Sequence, residues 1–448
     1  MVDVWLPYGK TDVCIRVPAR NLLGTIEPAD RLGAADAKAE VTRALKNPVP
    51  IGSKRLSEIA KPESKVAIVV DDQTRKVPSE VMLLPVLDEL SLAGVKDENI
   101  TVIFGCGTHR AVKPEEAEVL VGAEVLKRVK TVSHDCRAAD LVQLGTTKTH
   151  GNKVYVNRVF AEADVRVLLG DVGFHYYAGY GGGRKSVLPA VCGEETIKQN
   201  HAMLLHANAK TGVLNDNPVH QDMSEAAKLA KVDFIVNVVE NKKGEIVKAF
   251  AGDLEQAFLE GVKLVDEMYR VKVDRRAEIV VVSAGGHPAD MNLYQAYKAL
   301  DNALDAVKRG GVIILVAECP EGHGNQVFYD WMTRFDLKNV EHEIKRNFVL
   351  GGHKAYYLLK ALQNHQIILV SSLPDYYATS IFKLKTARAV NDAFAEALKI
   401  AGSASRVWAI PQGNCTLPVF EAPEETENNF AFPSKLEKPK DEGLKRNI

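Results

Sequence analysis

The sequence is poor in paired cysteines, in net charge and in long apolar runs, and each shortage removes a class of protein. Its six cysteines, Cys14, Cys106, Cys136, Cys192, Cys319 and Cys415, lie far apart with no Cys-x-x-Cys pair. That spacing argues against a disulfide framework and a structural zinc site. Lys and Arg total 57 against 58 Asp and Glu, a formal net charge of −1. A general nucleic-acid binder needs a basic surplus to displace counterions from phosphates, so no nucleic-acid partner is expected. The polybasic membrane-surface class goes with it. No apolar stretch nears the roughly 20 residues that span a bilayer, so no membrane partner is expected. The opening run MVDVWLPYGK carries Asp3 and no long apolar core, unlike a secretory leader. The expected setting is the reducing cytoplasm.

What is present is an α/β rhythm. The 448 residues are 46% hydrophobic and 26% charged, enough for two or three domains with real cores. Short β-branched runs at 65–71 and 99–105 flank a helical pattern at 79–92, with Pro78 preceding a candidate N-cap at Ser79. Further strand-like runs fall at 164–169, 234–239, 278–283, 311–316, 366–371 and 406–410. Near-continuous Val, Ile and Leu predict parallel strands covered by helices on both faces. The charged stretch 271–276 follows a helical pattern at 254–269 and suggests a boundary. The expected units are an N-terminal α/β domain, 1–272, a C-terminal α/β domain, 273–420, and a charged tail, 421–448, that is extended or unstructured.

In such sheets ligands bind at the carboxyl ends of strands. Asp71-Asp-Gln-Thr-Arg75 closes one predicted strand. Asp72 and Arg75 there can orient a substrate or hold a metal, or they can form a capping turn with an ion pair. Gly105-Cys-Gly-Thr-His-Arg110 begins like a dinucleotide fingerprint, but Arg110 stands where the third glycine belongs. It leaves His109 on a flexible turn. The loop 173–186 has five glycines in its first eleven residues and ends Arg184-Lys185-Ser186. Gly179 matches the first glycine of a nucleotide-phosphate loop, while Arg184 occupies the second glycine's place. Nucleotide hydrolysis is therefore disfavoured, and anion recognition by backbone amides remains. His175 is an acid or base candidate. Lys185, beside Arg184, is a candidate nucleophile or covalent tether with a lowered pKa. His201 lies in a helical pattern at 194–205, with His206 at i+5 rather than i+4, so a two-histidine helical metal site is absent. Tyr294 and Lys298 share a helix face with Gln295 adjacent, a set that suits a carboxylate or a solvated pair equally.

Taken in order, DDQTR at 71, GTHR at 107, the run GFHYYAGYGGGRKSVLP at 173–189 and YQAYK at 294–298 resemble the lactate racemase family. Members of that family carry a nickel-pincer nucleotide, a pyridinium-3,5-bisthiocarboxylic acid mononucleotide with nickel. The resemblance implies an isomerase, a racemase or epimerase that inverts C2 of a 2-hydroxy acid by reversible hydride transfer. It implies an active site in the cleft between two domains. Lys185 resembles the thioamide tether and His201 the single protein ligand to nickel. Gly181, Gly182, Gly183 and Arg184 would lie by the cofactor phosphate. His109 and His175 resemble the paired acid/base catalysts, with Asp72 in support. Arg75, Tyr294, Gln295 and Lys298 resemble the substrate-binding set. Cofactor-making enzymes would be transient partners. Lactate-using members place a tryptophan near the substrate methyl, and the corresponding stretch here, 351–358, has none. That implies a roomier or more polar pocket. Two other readings are a phosphate-binding protein with a degenerate glycine loop and a catalytically silent cofactor binder. The oligomeric state is open.

Overall fold

The computed structural model describes residues 1–75 and 77–421, so all of the expected tail but Glu421 lies outside the described residues. The chain opens with a hairpin, β1 (Val2–Tyr8) and β2 (Thr11–Val17), and a short strand β3 (Leu22–Thr25). Three strands alternate with helices next: β4 (Val66–Asp71), β5 (Ile100–Gly105) and β6 (Lys130–Ser133). A hairpin of β7 (Val142–Thr146) and β8 (Lys153–Val156) leads to β9 (Val165–Asp171). The short ladder of β10 (Phe174–His175) and β11 (Gly179–Tyr180) precedes β12 (Phe234–Glu240), β13 (Ile246–Gly252) and β14 (Arg270–Val273). The remaining strands are β15 (Ala277–Ser283), β16 (Val307–Val316), β17 (Gln366–Val370), β18 (Lys385–Ala387), β19 (Val407–Ile410) and β20 (Leu417–Phe420).

Two six-stranded sheets result, ordered β13-β12-β9-β4-β5-β6 and β18-β17-β16-β15-β19-β3. The second is parallel throughout; the first is parallel except where β12 meets β13. The sequence explains this. Val66 to Val70 of β4 are all buried and only the last residue, Asp71, emerges, as a strand covered on both faces requires. Helices Ala37–Lys46, Ser79–Leu92 and Pro114–Arg128 supply or border one cover of the first sheet. Ser79 is the first helical residue rather than the cap; Pro78 holds the cap position and no side chain caps this end.

The N-terminus departs from the expected division. Strand β3 pairs in parallel with β19, Leu22 opposite Val407, and so belongs to the second sheet. The hairpin turns Val4, Leu6, Ile15 and Val17 onto Ile279, Val281, Val312 and Ile314 of that sheet, while Trp5, on the other face, is 62% exposed. A two-residue period places all four apolar side chains on one face. The span 1–272 therefore contains a piece of the second domain. The hairpin turn also enters the crevice at the carboxyl end of the second sheet. There Gly9 N–H donates to Asp290 Oδ2 at 2.6 Å, His287 N–H to Gly9 O at 2.7 Å, and Ser283 Oγ to Pro7 O at 2.5 Å. Among the described residues no helix is long and apolar enough to cross a membrane.

Candidate active site

The site starts where β4 and β5 end side by side. Past Asp71 the chain turns, and Asp72 Oδ1 accepts from Thr74 N–H at 3.0 Å and Thr74 Oγ–H at 2.6 Å, a side-chain-closed turn. Its other oxygen, Oδ2, lies 2.6 Å from His109 Nδ1. Burial pushes the Asp72 carboxyl up, but the bonds from His109 and Thr74 outweigh it and hold the group below its ordinary range. An ionised Oδ2 requires Nδ1 to be the donor, which leaves the lone pair of neutral His109 on Nε2. The Asp72 side chain closes this turn and does not cap the following helix, whose cap position is Pro78. Arg75 donates to Thr74 O at 3.2 Å and Thr74 Oγ1 at 3.0 Å.

The glycine loop packs tightly on the ends of β9 and β12. Gly182 has φ +79° and a Cβ there would lie 2.7 Å from Asp171 O; Gly183 has φ +52° and a Cβ would meet the Phe258 ring at 3.0 Å. Gly183 N–H donates to Asn237 Oδ1 at 2.9 Å. These two glycines answer a packing demand. Gly181 has only ordinary contacts, the nearest at 3.5 Å. Arg184 also departs from expectation. It is buried, donates to Ala178 O at 2.8 Å, Gly182 O at 3.0 Å and His220 Nδ1 at 3.0 Å, and lies over Phe258. Its guanidinium braces the loop from inside, with most of its donors spent on the loop's own carbonyls and His220.

Lys185, the next residue, has no ion pair among the described residues, and its amine is pushed well below the usual lysine range. Burial is the main cause, with the charges of Arg75 and Arg184 adding to it. His175 stacks on Tyr176 at 4.9 Å and 12° and accepts at Nδ1 from Ala178 N–H at 3.2 Å. Burial, then the positive charges of Lys185 and Arg75, push its imidazole well below the ordinary histidine range. His201 is buried at the end of the helix Glu194–Ala202, pushed down to about 3 by burial and Lys185. Among the described residues no three His, Cys, Asp or Glu side chains converge as metal ligands.

The second domain brings the helix Leu293–Ala303, capped by Asn292, whose Oδ1 accepts from Gln295 N–H at 3.0 Å. The Lys298 side chain is exposed at the cleft, and partial desolvation with the Arg75 charge pushes its amine down to about 8. The Lys298 charge acts on Asp171 of the first sheet, so charged groups from both domains face the same region. Gln295 is half-buried, with no hydrogen bond from its side chain among the described residues. Burial raises the carboxyls of Asp71 and Asp171, at the ends of neighbouring strands, and the Asp171 charge pushes Asp71 up to about 7.

Three residues were not foreseen. Tyr176 of the glycine loop has its hydroxyl 2.5 Å from His353 Nε2 across the domain boundary, and His353 Nδ1 accepts from Gly351 N–H at 3.3 Å. Lys354 Nζ, buried without a hydrogen-bond partner among the described residues, lies 4.2 Å over the Tyr176 ring, 4.6 Å over Tyr297 and 5.4 Å over Tyr294. The signal available was a His-Lys pair inside an otherwise apolar helical stretch. A tryptophan does reach this stretch, from another helix: the Trp331 ring would lie 2.5 Å from a Cβ at Gly352.

Comparison with known proteins follows the same lines. The family model described as the lactate racemase N-terminal domain matches residues 8–212, and the one for the lactate racemase C-terminal domain matches 272–417. The lactate racemase of Thermoanaerobacterium thermosaccharolyticum is 35% identical over 422 residues, covering 92% of this chain and 98% of that protein. That of Lactiplantibacillus plantarum is 32% identical, covering 92% and 99%. The solved lactate racemase apoprotein from T. thermosaccharolyticum superposes with a TM-score of 0.86 at 33% identity, covering 93% of this chain and all of that one. A Thermotoga maritima protein shares the fold at a TM-score of 0.62 and 19% identity.

Proposed function

The chain belongs to the lactate racemase family and is an isomerase, and from that premise we propose that it inverts C2 of a small 2-hydroxy acid, lactate or a more polar relative. The observation that carries the substrate class is a set of unmatched cations. Arg75, Lys185 and Lys298 have no carboxylate within ion-pairing distance among the described residues, and the Arg75 charge acts on both lysines. Positive groups that face one another without a direct ion-pair partner favour an anionic ligand.

The proposed cofactor is a nickel-pincer nucleotide joined to Lys185, and the donor set fits it. A single neutral imidazole, His201, suits a metal whose remaining ligands come from an organic group. An unprotonated lysine amine suits covalent attachment. When bound, that cofactor supplies a hydride acceptor for C2. Gly181, the glycine of the Gly181–Gly183 run with room beside it, is the candidate to approach the phosphate.

The chain's own residues do the rest. Arg75 and Lys298 bind the substrate carboxylate, with Tyr294 and Gln295 within the same helix turn to hold the hydroxyl. His109 takes the hydroxyl proton at Nε2, its ring fixed and its resulting charge balanced by Asp72. His175 serves the opposite enantiomer. Its cationic neighbours keep it neutral in the free protein, and the negative charge of substrate and cofactor offsets them so that it can carry the proton it delivers. The phosphate-binding alternative loses support, because Gly182, Gly183 and Arg184 are committed to packing. Cofactor-making enzymes are the proposed transient partners. The test is co-expression with those enzymes, followed by intact mass, nickel content and chiral analysis of D- and L-lactate and more polar 2-hydroxy acids. A loaded protein that racemises none of them refutes the reading.

A further inference from the structure

Asp222, on the helix Pro218–Leu229, is fully buried and, among the described residues, touches no cation. Its oxygens accept only from neutral donors: Thr147 Oγ1 at 2.7 Å on Oδ1, and the amides of Asn152 and Asn200, each at 2.9 Å, on Oδ2. A buried carboxylate held this way is costly compared with a neutral group of its shape, so stability alone does not account for it. Asn200 links it to the site. The second hydrogen of its amide goes to Val219 O at 3.1 Å, and reversing the amide would set its oxygen against two acceptors. Its Oδ1 therefore can only accept, and the atom facing it, at 3.1 Å, is Nδ1 of His201. This arrangement admits one neutral tautomer, with the proton on Nδ1 and the lone pair on Nε2.

We propose that Asp222, acting through Asn200, is the positioning residue that fixes His201 as a metal donor, in a carboxylate–amide–imidazole relay. The inference rests on the assignment of His201 as the nickel ligand. The carboxylate polarises the Asn200 amide, its oxygen becomes a stronger acceptor, and the Nδ1–H bond is drawn toward it. Nε2 becomes the better donor. Partners of this kind orient a ligating imidazole and raise its basicity.

The merely structural alternative is that Asp222 ties the Thr147–Asn152 turn to two helices. Three variants of the full chain separate the two: Asn200→Ala, Asp222→Asn and Thr147→Val, the last weakening the far side of Asp222 without touching Asn200. In the apoprotein, histidine-selective 15N NMR, with the His201 signal assigned by its loss in His201→Gln, reads the tautomer. The wild type should show Nδ1–H, and Asn200→Ala and Asp222→Asn should shift toward Nε2–H. In protein co-expressed with the cofactor-making enzymes, both variants should lose nickel to a chelator about 10- to 100-fold faster at unchanged Lys185 adduct mass. Thr147→Val should leave both readouts near wild type. An unchanged tautomer and nickel-loss rate in Asn200→Ala, or an equal effect of Thr147→Val, overturns the relay. If Asp222→Asn does not fold, Asn200→Ala decides. A wild-type protein that gains neither adduct nor nickel refutes the cofactor reading instead, while the apoprotein tautomer still tests the relay.

Discussion

Asp72→Asn is the sharpest test of the acid/base assignment, because the structure dictates how the amide must sit. Thr74 directs both its N–H and its O–H at Oδ1, so the asparagine has to place its oxygen there. Its NH2 then falls on His109 Nδ1, at the position now 2.6 Å from a carboxylate oxygen. Facing a donor, Nδ1 must become an acceptor, and the ring's only proton moves to Nε2. The base is lost although nothing has moved. A positioned base contributes about 10²- to 10⁴-fold. At 1.36 kcal/mol per decade that is about 2.7–5.4 kcal/mol of barrier. Racemisation of each enantiomer is followed by chiral chromatography, with Lys185 adduct mass and nickel content as loading controls. Because the enantiomers have equal free energy, kcat/KM must fall by the same factor in both directions. Asp72→Asn protein, loaded like the wild type and racemising within about threefold of it, a barrier change under 1 kcal/mol, refutes the tautomer argument.

Other outcomes are as specific. Lys298→Met removes a charged hydrogen bond worth about 1.5–3 kcal/mol, so KM should rise about 10- to 100-fold with loading intact. In the wild type Lys298 loses its charge as pH rises through about 8, so KM for the anionic substrate should climb above that pH; a flat KM from pH 7 to 9 contradicts the assignment. In the apoprotein, acylation of Lys185 by a small reagent should already be pH-independent near neutrality, while a lysine model peptide, with its ordinary value of about 10.4, keeps accelerating toward pH 10. Peptide mapping showing parallel pH profiles for the two would count against an unprotonated amine. Gly179→Ala meets Val213 O at 2.2 Å with φ +78°, and the strain should cost about 1–3 kcal/mol or more, read as a lowered thermal midpoint. An unchanged midpoint would mean the loop relaxes freely.

Strand ends were legible because buried Val and Ile runs stop abruptly at polar residues, as at Asp71 and Gly105. Which ends meet was not. His109 reaches Asp72 because β5 lies beside β4 in the sheet, and strand order is decided by helix packing rather than by either segment alone. Arg184 was misleading for a related reason: an arginine in a glycine loop looks like an anion binder until burial turns it on the loop's own carbonyls. The His353–Lys354 pair carried no period or strand-end signal, since its role depends on Tyr176 arriving from the other domain. Strand β3 has four residues, too few to show a period, and only its partner identifies it.

That pairing imposes an order on synthesis. The register of Leu22 opposite Val407 means a strand made among the first residues waits for one made 385 residues later (407 − 22). At about 5–20 residues per second the wait is roughly 20–80 s. Meanwhile the hairpin's apolar row of Val4, Leu6, Ile15 and Val17 has no sheet to cover, and the flank of β19 stays unpaired until β3 docks. The first domain can close while the second is still open-edged, which makes the nascent second sheet the stage most exposed to mispairing. Deleting the hairpin and β3 would make that unfinished state permanent.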